Sequence, residues 1–534
     1  MDGERLRSQI GQMIVVRASG HLLDHQIPYP QWEATAAQLH HWITDWQIGG
    51  VILLGGTVTE VAVRTEQLQA WADTPLLIAA DIEEGVGQRF AGATWFPPPM
   101  ALSAIADPAQ ADPLATQMGA ITAAEALSIG VNWILAPVVD VNNNPNNPVI
   151  NVRAFGEDPA TVGRLAAAFI QGCHQYPVLT SAKHFPGHGD TQTDSHLHLP
   201  SLTHDRDRLQ QVELPPFQAA IAAGVDSVMS GHLLIPAWDD TAPATLSAPI
   251  LTGQLRQTLG FEGLIVTDAL VMGGVANWAS PAEVAVQAVA AGADIILMPA
   301  DPEAAILAIA AAVETGRIPA AQIAATADRI AAAKAKLAPP PTGMISDRLT
   351  TLASPHAQTT VHTILHHSLH THALDAYQAP EPAAQPINFV VAHSLFTCDF
   401  LSRTAPAIAL PQHHGYQLRC LEPEQLLEFP WDTLHTPSLL QLFIRGNPFR
   451  GTASLAPAIQ TQLKGLLRDQ KIGAAILYGS PYLAQWLMKD CPPQFPWAFT
   501  YGQMPSAQHM VLETLFPSQN QTRSMIQGIG DEFI

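Results

Sequence analysis

The sequence is poor in cysteine and in basic residues, and each shortage excludes a class of protein. Its four cysteines, at positions 173, 398, 420 and 491, lie far apart and never in a C-x-x-C spacing, so neither a disulfide framework nor a zinc knuckle is indicated. Lysine and arginine number 25 against 46 acidic residues, a formal net charge of -21. This balance disfavours nucleic acid and anionic membranes as partners, because both require clustered cations. We expect a reducing compartment and a neutral or cationic small partner.

Long hydrophobic runs are also missing. The start, MDGERLRSQIGQMIVV, has acidic residues where a signal peptide would place a basic patch and then an apolar stretch. A later stretch, VAVQAVAAGADIILMPA, is broken by Gln287, Asp294 and Pro299 before it reaches the roughly 20 apolar residues that a membrane helix needs. These absences predict a soluble, cytoplasmic protein without a membrane partner.

The chain is too long, at 534 residues, for one compact core, so we expect two domains. Up to about residue 300, short apolar runs bounded by Gly, Pro or Asp alternate with Ala-rich segments of helical period, which is typical of repeated βα units. The strand candidates are QMIVV, GGVILLG, PLLIAADIE, VNWILAPVVDV, VLTSAKHF, DSVMSGHLL, GLIVTDALVM and ADIILMPA. Eight such runs favour a closed, TIM-like (β/α)8 barrel over an open sheet, and we predict it over residues 1–338.

A second, smaller domain is predicted after a proline-rich linker. A helix expected near residues 319–337 runs into APPPTGMISD, whose three consecutive prolines stop a helix and stiffen the chain. We place the linker at 339–350 and an α/β sandwich domain at 351–534. There INFVVAH, LLQLFIR and GAAILYGS are strand candidates, APAIQTQLKGLLRDQ is a helix candidate, and the histidines of TILHHSLHTHAL are interpreted as a helix surface.

Polar residues directly follow several apolar runs of the predicted barrel, where barrel enzymes place their chemistry. They are Asp81, Asp140, Lys183, His184, His232 and Asp268. Any single one could be a strand cap or a satisfied buried group. Polar residues that follow five different runs at the same end of the barrel indicate a functional site.

KHFPGHGDTQTDSH, residues 183–196, is the segment richest in reactive side chains. Its possible metal ligands are His184, His188, Asp190, Asp194 and His196. No H-E-x-x-H or similar spacing places two of them on one helix face, which weakens the metal interpretation. A solvated turn at Gly187 and Gly189 is a second alternative. We favour a mobile catalytic loop, because glycines allow movement and Asp194 can orient the His196 imidazole and stabilise its protonated form.

Three long motifs resemble one known family. KHFPGHGDTQTDSH, APVVDVNNNPNNPVINVRAFGEDP and IVTDALVM are similar to the signatures of family-3 glycoside hydrolases, in particular the β-N-acetylhexosaminidase branch. The resemblance covers about residues 5–335 with the motifs in the expected order. More loosely, LYGSPYL resembles the C-terminal domain of that family.

The resemblance implies a retaining glycosidase without metal or other cofactor. Asp268 matches the nucleophile of the family, and Asp194 with His196 matches its acid/base dyad. The positions that match sugar-holding residues are Asp81, Arg89, Arg153, Lys183 and His184. The stretch DIEEGVGQRF departs from the usual pattern, since Glu84 replaces a glycine and Val86 a polar residue.

These implications lead us to expect an exo-acting β-N-acetylglucosaminidase that binds N-acetylglucosamine-containing oligosaccharides, in particular muropeptide fragments of peptidoglycan. The nearest alternative is a family-3 β-glucosidase or a broader hexosaminidase. Alternatives from other classes are a metal-dependent hydrolase centred on the histidines and a catalytically silent sugar-binding protein. The sequence predicts neither an oligomeric state nor a choice between hydrolysis and phosphorolysis.

Overall fold

The computed structural model describes residues 3–195, 197–339, 343–395, 398–446, 455–489 and 491–516. They form two compact units, the first reaching Val361 and the second beginning at His362. Part of the proposed linker, residues 340–342, lies outside the described residues. The domain boundaries drawn from the sequence therefore stay predictions.

Parallel strands form a barrel in the first unit. They are β1 (Ile14–Ser19), β2 (Gly50–Leu54), β3 (Leu77–Ala80), β4 (Trp133–Ile134), β5 (Leu179–Phe185), β6 (Ser227–Ser230), β7 (Leu264–Thr267) and β8 (Ile296–Leu297). Their order is β7-β6-β5-β4-β3-β2-β1-β8, and a parallel bridge between Val266 and Ile295 closes the ring. Seven of these strands lie within the apolar runs, and β1 begins in QMIVV and continues to Ser19, so the predicted barrel is confirmed.

The first unit contains helices before, between and after the strands. They are α1 (Gly3–Gly11), α2 (Ala36–Thr44), α3 (Val58–Trp71), α4 (Met100–Ser103), α5 (Pro108–Ser128), α6 (Pro159–Cys173), α7 (Arg206–Arg208), α8 (Leu214–Ala222), α9 (Gly273–Ala276), α10 (Pro281–Ala291), α11 (Pro302–Glu314), α12 (Ala320–Lys334) and α13 (Ile345–Leu349). The next helix, α14 (Pro355–His367), begins in the first unit and ends in the second. Two further segments, Leu209–Glu213 and Pro249–Thr258, are π-helical.

Local sequence signals set where several of these helices begin. Asp158 caps α6 by accepting the Thr161 N–H at 2.9 Å, and Pro159 follows in the first turn, where a helix needs no N–H. Asp301 caps α11 in the same way, accepting the Ala304 N–H at 3.0 Å. Within the described ranges, none of the helices combines the length and the apolar character needed to cross a lipid bilayer.

The second unit contains its own sheet. Its strands are β9 (His370–His372), β10 (Ile387–Ala392), β11 (Gln417–Leu421), β12 (Ser438–Ile444), β13 (Ile472–Gly479) and β14 (Trp497–Thr500). They lie in the order β11-β10-β12-β13-β14-β9, and β9 alone among them runs antiparallel to its neighbour. Its helices are α15 (Pro406–His413), α16 (Pro457–Arg468), α17 (Pro481–Met488) and α18 (Pro505–Leu515).

The histidine-rich segment TILHHSLHTHAL corrects one sequence interpretation. Helix α14 ends at His367, and His370–His372 form the edge strand β9 instead of continuing a helix surface. The strand was missed because its side chains are exposed and polar, so it carries no apolar run. The three strands that were predicted correspond to β10, β12 and β13.

Candidate active site

A network of ion pairs links residues after β3 to the end of β5. The Lys183 ammonium lies 2.7 Å from a carboxylate oxygen of Asp81 and 2.7 Å from one of Glu83. Arg153 donates to the Glu83 carboxylate twice, from Nε at 2.9 Å and from Nη2 at 2.8 Å. Its Nη1 donates to the Val149 carbonyl at 3.0 Å. Two cations and two carboxylates thus form one cluster without net charge.

Burial and neighbouring charges shift the pKa values of this cluster in opposite directions. Burial alone would raise the pKa of Glu83, but Arg153 and Lys183 outweigh it and hold that pKa well below its usual range. Burial would lower the pKa of Lys183, yet the carboxylates of Asp81 and Glu83 raise it. Glu83 and Lys183 are therefore both ionised at neutral pH.

The turn after β3 accommodates the two unusual residues. Glu84 is fully buried, and its carboxylate accepts the indole N–H of Trp95 at 3.0 Å. Val86 is also fully buried and begins a short 3-10 turn. That turn delivers Arg89, whose Nε donates to the Asp81 carbonyl at 2.9 Å. Arg89 therefore reaches the Asp81 backbone despite the changed turn sequence.

Asp140, after β4, organises the backbone and the histidines that follow Lys183. Its carboxylate lies 2.8 Å from His184 Nδ1 and accepts the His188 backbone N–H at 2.6 Å. Burial would raise the pKa of Asp140, but the two histidines lower it below its usual value. Burial lowers the pKa of His188 to about 4, so this imidazole is neutral at pH 7.

Glycines in the 183–195 segment serve close packing. A Cβ at Gly189 would lie 1.9 Å from the Val141 carbonyl oxygen, and Gly187 has a φ of +133°. The Asn147 side chain donates to the carbonyls of His188 and Gly189 at 2.8 and 2.9 Å. Gly189 thus lets the segment pack against the loop after β4, and Gly187 lies against Glu213, where a Cβ would approach to 2.9 Å. The mobility expected of this loop stays a prediction.

Ser195 connects this segment to the residues that follow β7. Its Oγ lies 2.9 Å from His188 Nε2, and its carbonyl accepts the Gly274 N–H at 3.1 Å. Gly274 belongs to α9, which follows β7. Asp194 is buried, with 3% of its surface exposed. His196 lies outside the described residues.

Asp268 stands immediately after β7. Its backbone N–H donates to the Ser230 carbonyl of β6 at 3.1 Å, and its carboxylate accepts the Ala269 N–H at 2.7 Å. The side chain is half-buried, and its negative charge is one of those that act on His188. His232, predicted from its strand-end position, is fully buried and lies 3.0 Å from the Ala269 carbonyl through Nε2.

Comparison with known proteins now decides the family. Residues 5–333 match the glycosyl hydrolase family 3 N-terminal domain, and residues 379–517 match the bacterial glycosyl hydrolase family 3 C-terminal domain. The chain belongs to glycosyl hydrolase family 3. The resemblance inferred from three motifs is thereby confirmed.

Relatives within family 3 carry hexosaminidase names. The chain is 38% identical over 331 residues to β-hexosaminidase A of Pseudoalteromonas piscicida, which covers 56% of the chain and 55% of that protein. It is 34% identical over 300 residues to a β-N-acetylglucosaminidase/β-glucosidase of Cellulomonas fimi, covering 54% of the chain and 52% of that protein. The chain thus spans about half the length of these two relatives.

A solved structure from family 3 resembles the whole chain. The β-N-acetylglucosaminidase of Paenibacillus sp. str. FPU-7 superposes with a TM-score of 0.79 at 29% identity, covering 96% of either chain. Both sheets of the fold therefore have a counterpart in an experimentally solved member of the family.

Sequence reasoning missed one central residue of this family-3 site. Glu83 pairs with both Arg153 and Lys183, yet the site residues predicted after β3 were Asp81 and Arg89. The available signal was its position two residues beyond Asp81, which returns the side chain to the same side of an extended chain. Among the described residues, no three His, Cys, Asp or Glu side chains are arranged to hold a metal ion.

Proposed function

We propose that the protein is a retaining exo-β-N-acetylglucosaminidase that removes terminal N-acetylglucosamine. The observation that carries the proposal is the ion-paired cluster of Asp81, Glu83, Arg153 and Lys183, which has no net charge and lies at the strand ends of a barrel whose seventh strand leads to Asp268. Such a cluster suits a neutral sugar, because it offers many hydrogen bonds but no net charge.

Donors remain in the cluster for a substrate. A lysine ammonium has three N–H groups and an arginine guanidinium five. Among the described residues, Lys183 contacts two carboxylates, and Arg153 makes three hydrogen bonds. The remaining N–H groups can donate to sugar hydroxyls and to the acetamido carbonyl. His184 and Arg89 adjoin the same cluster and complete the proposed sugar pocket.

Asp268 is the proposed nucleophile. Retaining glycosidases require a carboxylate that attacks the anomeric carbon and a second group that first protonates the leaving oxygen and then activates water. We assign the second role to His196, oriented by Asp194. An imidazole titrates near neutral pH and can therefore act in both steps without a large pKa shift.

The experiment for this function compares substrates. An aryl β-N-acetylglucosaminide should be hydrolysed faster than the aryl β-glucoside, with the β-anomer of N-acetylglucosamine as the first product seen by NMR. A preference for the glucoside would favour the second candidate, a β-glucosidase, which the double name of the Cellulomonas fimi relative makes worth testing. Added phosphate should leave the rate unchanged; acceleration with sugar phosphate as product would show phosphorolysis.

Muropeptide fragments are the natural substrate that we propose, by analogy with the resembling branch of the family. N-acetylglucosaminyl-N-acetylmuramyl peptides should then be cleaved with a higher kcat/KM than N,N′-diacetylchitobiose. Equal or lower values would assign the enzyme to chitin fragments instead. Prolonged treatment with a chelator should leave activity intact, whereas loss that a metal restores would support the metal-dependent alternative.

A further inference from the structure

A groove of about 650 Å3 lies beside the proposed active site. Its walls come from β1 and the segment that follows it, from α2, from the residues after Asp268 and from the start of α11. Leu270 and Val271, which line it, are two and three residues beyond Asp268. Since extended residues span at most about 3.6 Å each, the groove begins within about 11 Å of the Asp268 backbone.

The exposed ring of Trp32 lines this groove, and the exposed ring of Tyr29 stacks against it. Tyr29 and Trp32 are stacked, with ring centroids 5.9 Å apart and planes inclined by 28°. They remain 48% and 41% exposed, although large aromatic side chains are usually buried. The Arg17 guanidinium lies 5.2 Å from the Tyr29 ring and 5.7 Å from the Trp32 ring, which fixes this aromatic platform against β1.

Glu33, in the wall of the same groove, has an unsatisfied carboxylate oxygen. Arg17 donates to Oε1 from Nε at 3.1 Å and from Nη2 at 2.8 Å. Oε2 is buried and has no hydrogen-bond partner among the described residues, although only 1% of the side chain is exposed. A buried acceptor without a donor is destabilising, and a ligand that supplies an O–H or N–H would relieve this.

The backbone holds Glu33 in that position. The Ala34 N–H donates to the Arg17 carbonyl at 3.3 Å, and Ala34 forms a bridge with Ala18 of β1. The Trp32 and Glu33 N–H groups both donate to the Tyr29 carbonyl at 2.9 Å. The aromatic platform and the unsatisfied oxygen therefore belong to one ordered turn.

We propose that this groove binds a sugar residue of the substrate other than the one that is cleaved off. The inference rests on the proposed function, and it adds a binding position on residues 29–33. A pyranose has an apolar C–H face that packs on an aromatic ring and hydroxyls that donate to a carboxylate. The groove carries Glu33, Asp301 and Glu303 against Arg17, so its charge disfavours a phosphate bound directly against these carboxylates.

Chain-length dependence tests the proposal. For each enzyme we would measure kcat/KM on N,N′,N″-triacetylchitotriose and on an aryl β-N-acetylglucosaminide and take the ratio. Trp32→Ala removes the exposed ring. Glu33→Gln replaces the carboxylate that carries the unsatisfied oxygen by a neutral amide of the same size. Each should lower the ratio about tenfold, which corresponds to about 1.4 kcal/mol. Tyr176→Ala, which removes a 39% exposed aromatic ring before β5, is the matched control and should leave the ratio unchanged.

An unchanged ratio in both groove variants would overturn the proposal, including one that results from an equal fall of kcat/KM on the two substrates. A fall that occurs only with peptide-bearing fragments would overturn it in favour of a peptide ligand. Calorimetric titration of triacetylchitotriose in an Asp268→Asn background reads binding without turnover. In that background, Trp32→Ala should raise the Kd for triacetylchitotriose about tenfold. The groove can therefore be tested even if the proposed catalytic function fails.

Discussion

The two sides of the barrel mouth differ in how their charges are held. On the side built after β3 and β5, Glu83 and Lys183 are almost completely buried, and each contacts opposite charges within 3 Å. On the side built after β7, Asp268 is half-buried and accepts a backbone N–H from Ala269. The first arrangement holds its charges in fixed ion pairs, whereas the second leaves the carboxylate of Asp268, which we propose as the nucleophile, partly exposed.

This difference predicts different consequences for substitutions on the two sides. Removing one partner of a buried ion pair leaves an uncompensated charge, which typically destabilises a protein by roughly 3–5 kcal/mol. If half-buried Asp268 is the nucleophile, as we propose, its removal should have little effect on folding and a large effect on the reaction. Stability and turnover measured together therefore separate the two sides.

The largest kinetic effect is expected from Asp268→Asn. Asparagine is nearly isosteric but a poor nucleophile, so kcat should fall below about a hundredth of the wild-type value, a loss of at least about 3 kcal/mol. The thermal midpoint should stay near that of wild type. Asp107→Asn is the matched control, because either residue caps α5 well. Retention of more than a hundredth of kcat would exclude Asp268 as the nucleophile.

Glu83→Gln should have the largest effect on stability. It leaves Lys183 and Arg153 with one carboxylate fewer. We therefore expect the free energy of unfolding, measured with denaturant, to fall by about 3 kcal/mol, and kcat/KM to fall as well. Because the folded pKa of Glu83 is lowered, its contribution is present above the unfolded pKa and is lost as pH falls through the folded value. The difference between variant and wild type should therefore shrink in acid.

The exposed Glu157→Gln serves as the control for Glu83→Gln and should unfold like wild type at every pH. A Glu83→Gln variant as stable as wild type at neutral pH would show that the ion pairs do not hold the barrel end together.

His188 should make stability depend on pH over a defined window. Its folded pKa is lowered to about 4, so between about 6.5 and 4 the unfolded chain takes up a proton that the folded protein does not. As the pH is lowered through this window, the free energy of unfolding should fall by up to about 3 kcal/mol. His188→Gln should flatten that part of the plot of unfolding free energy against pH. The exposed His25→Gln is the control; identical pH profiles for wild type and His188→Gln would contradict the buried neutral imidazole.

Lys183→Ala and Arg153→Ala should have smaller kinetic effects than Asp268→Asn. Each removes a charged donor of the proposed sugar pocket but leaves Glu83 paired with the other cation, so we expect kcat/KM to fall about tenfold or more. Steady-state kinetics on the aryl N-acetylglucosaminide measure this. If both variants matched wild type, the sugar pocket would lie elsewhere.

Much of the barrel and part of the site could be predicted from the sequence. The strands were recognisable because each is a buried apolar run bounded by Gly, Pro or Asp, and the strand ends then pointed to Asp81, Lys183 and Asp268. The Glu83–Arg153 pair was not recognisable, because it joins residues 70 positions apart and no local pattern encodes the contact. The role of Gly189 was also hidden, since only the fold brings Val141 against it.

The central claim is that Asp268 forms a glycosyl-enzyme and His196 acts as acid and base, and one measurement tests both. His196→Ala is mixed rapidly with an N-acetylglucosaminide of a very acidic phenol, which leaves without protonation. We predict a burst of phenol close to one equivalent per enzyme, slow turnover afterwards, and a sugar adduct detected by mass spectrometry on the peptide that carries Asp268. Uniform slowing of good and poor leaving groups, without a burst or an adduct, would contradict the account.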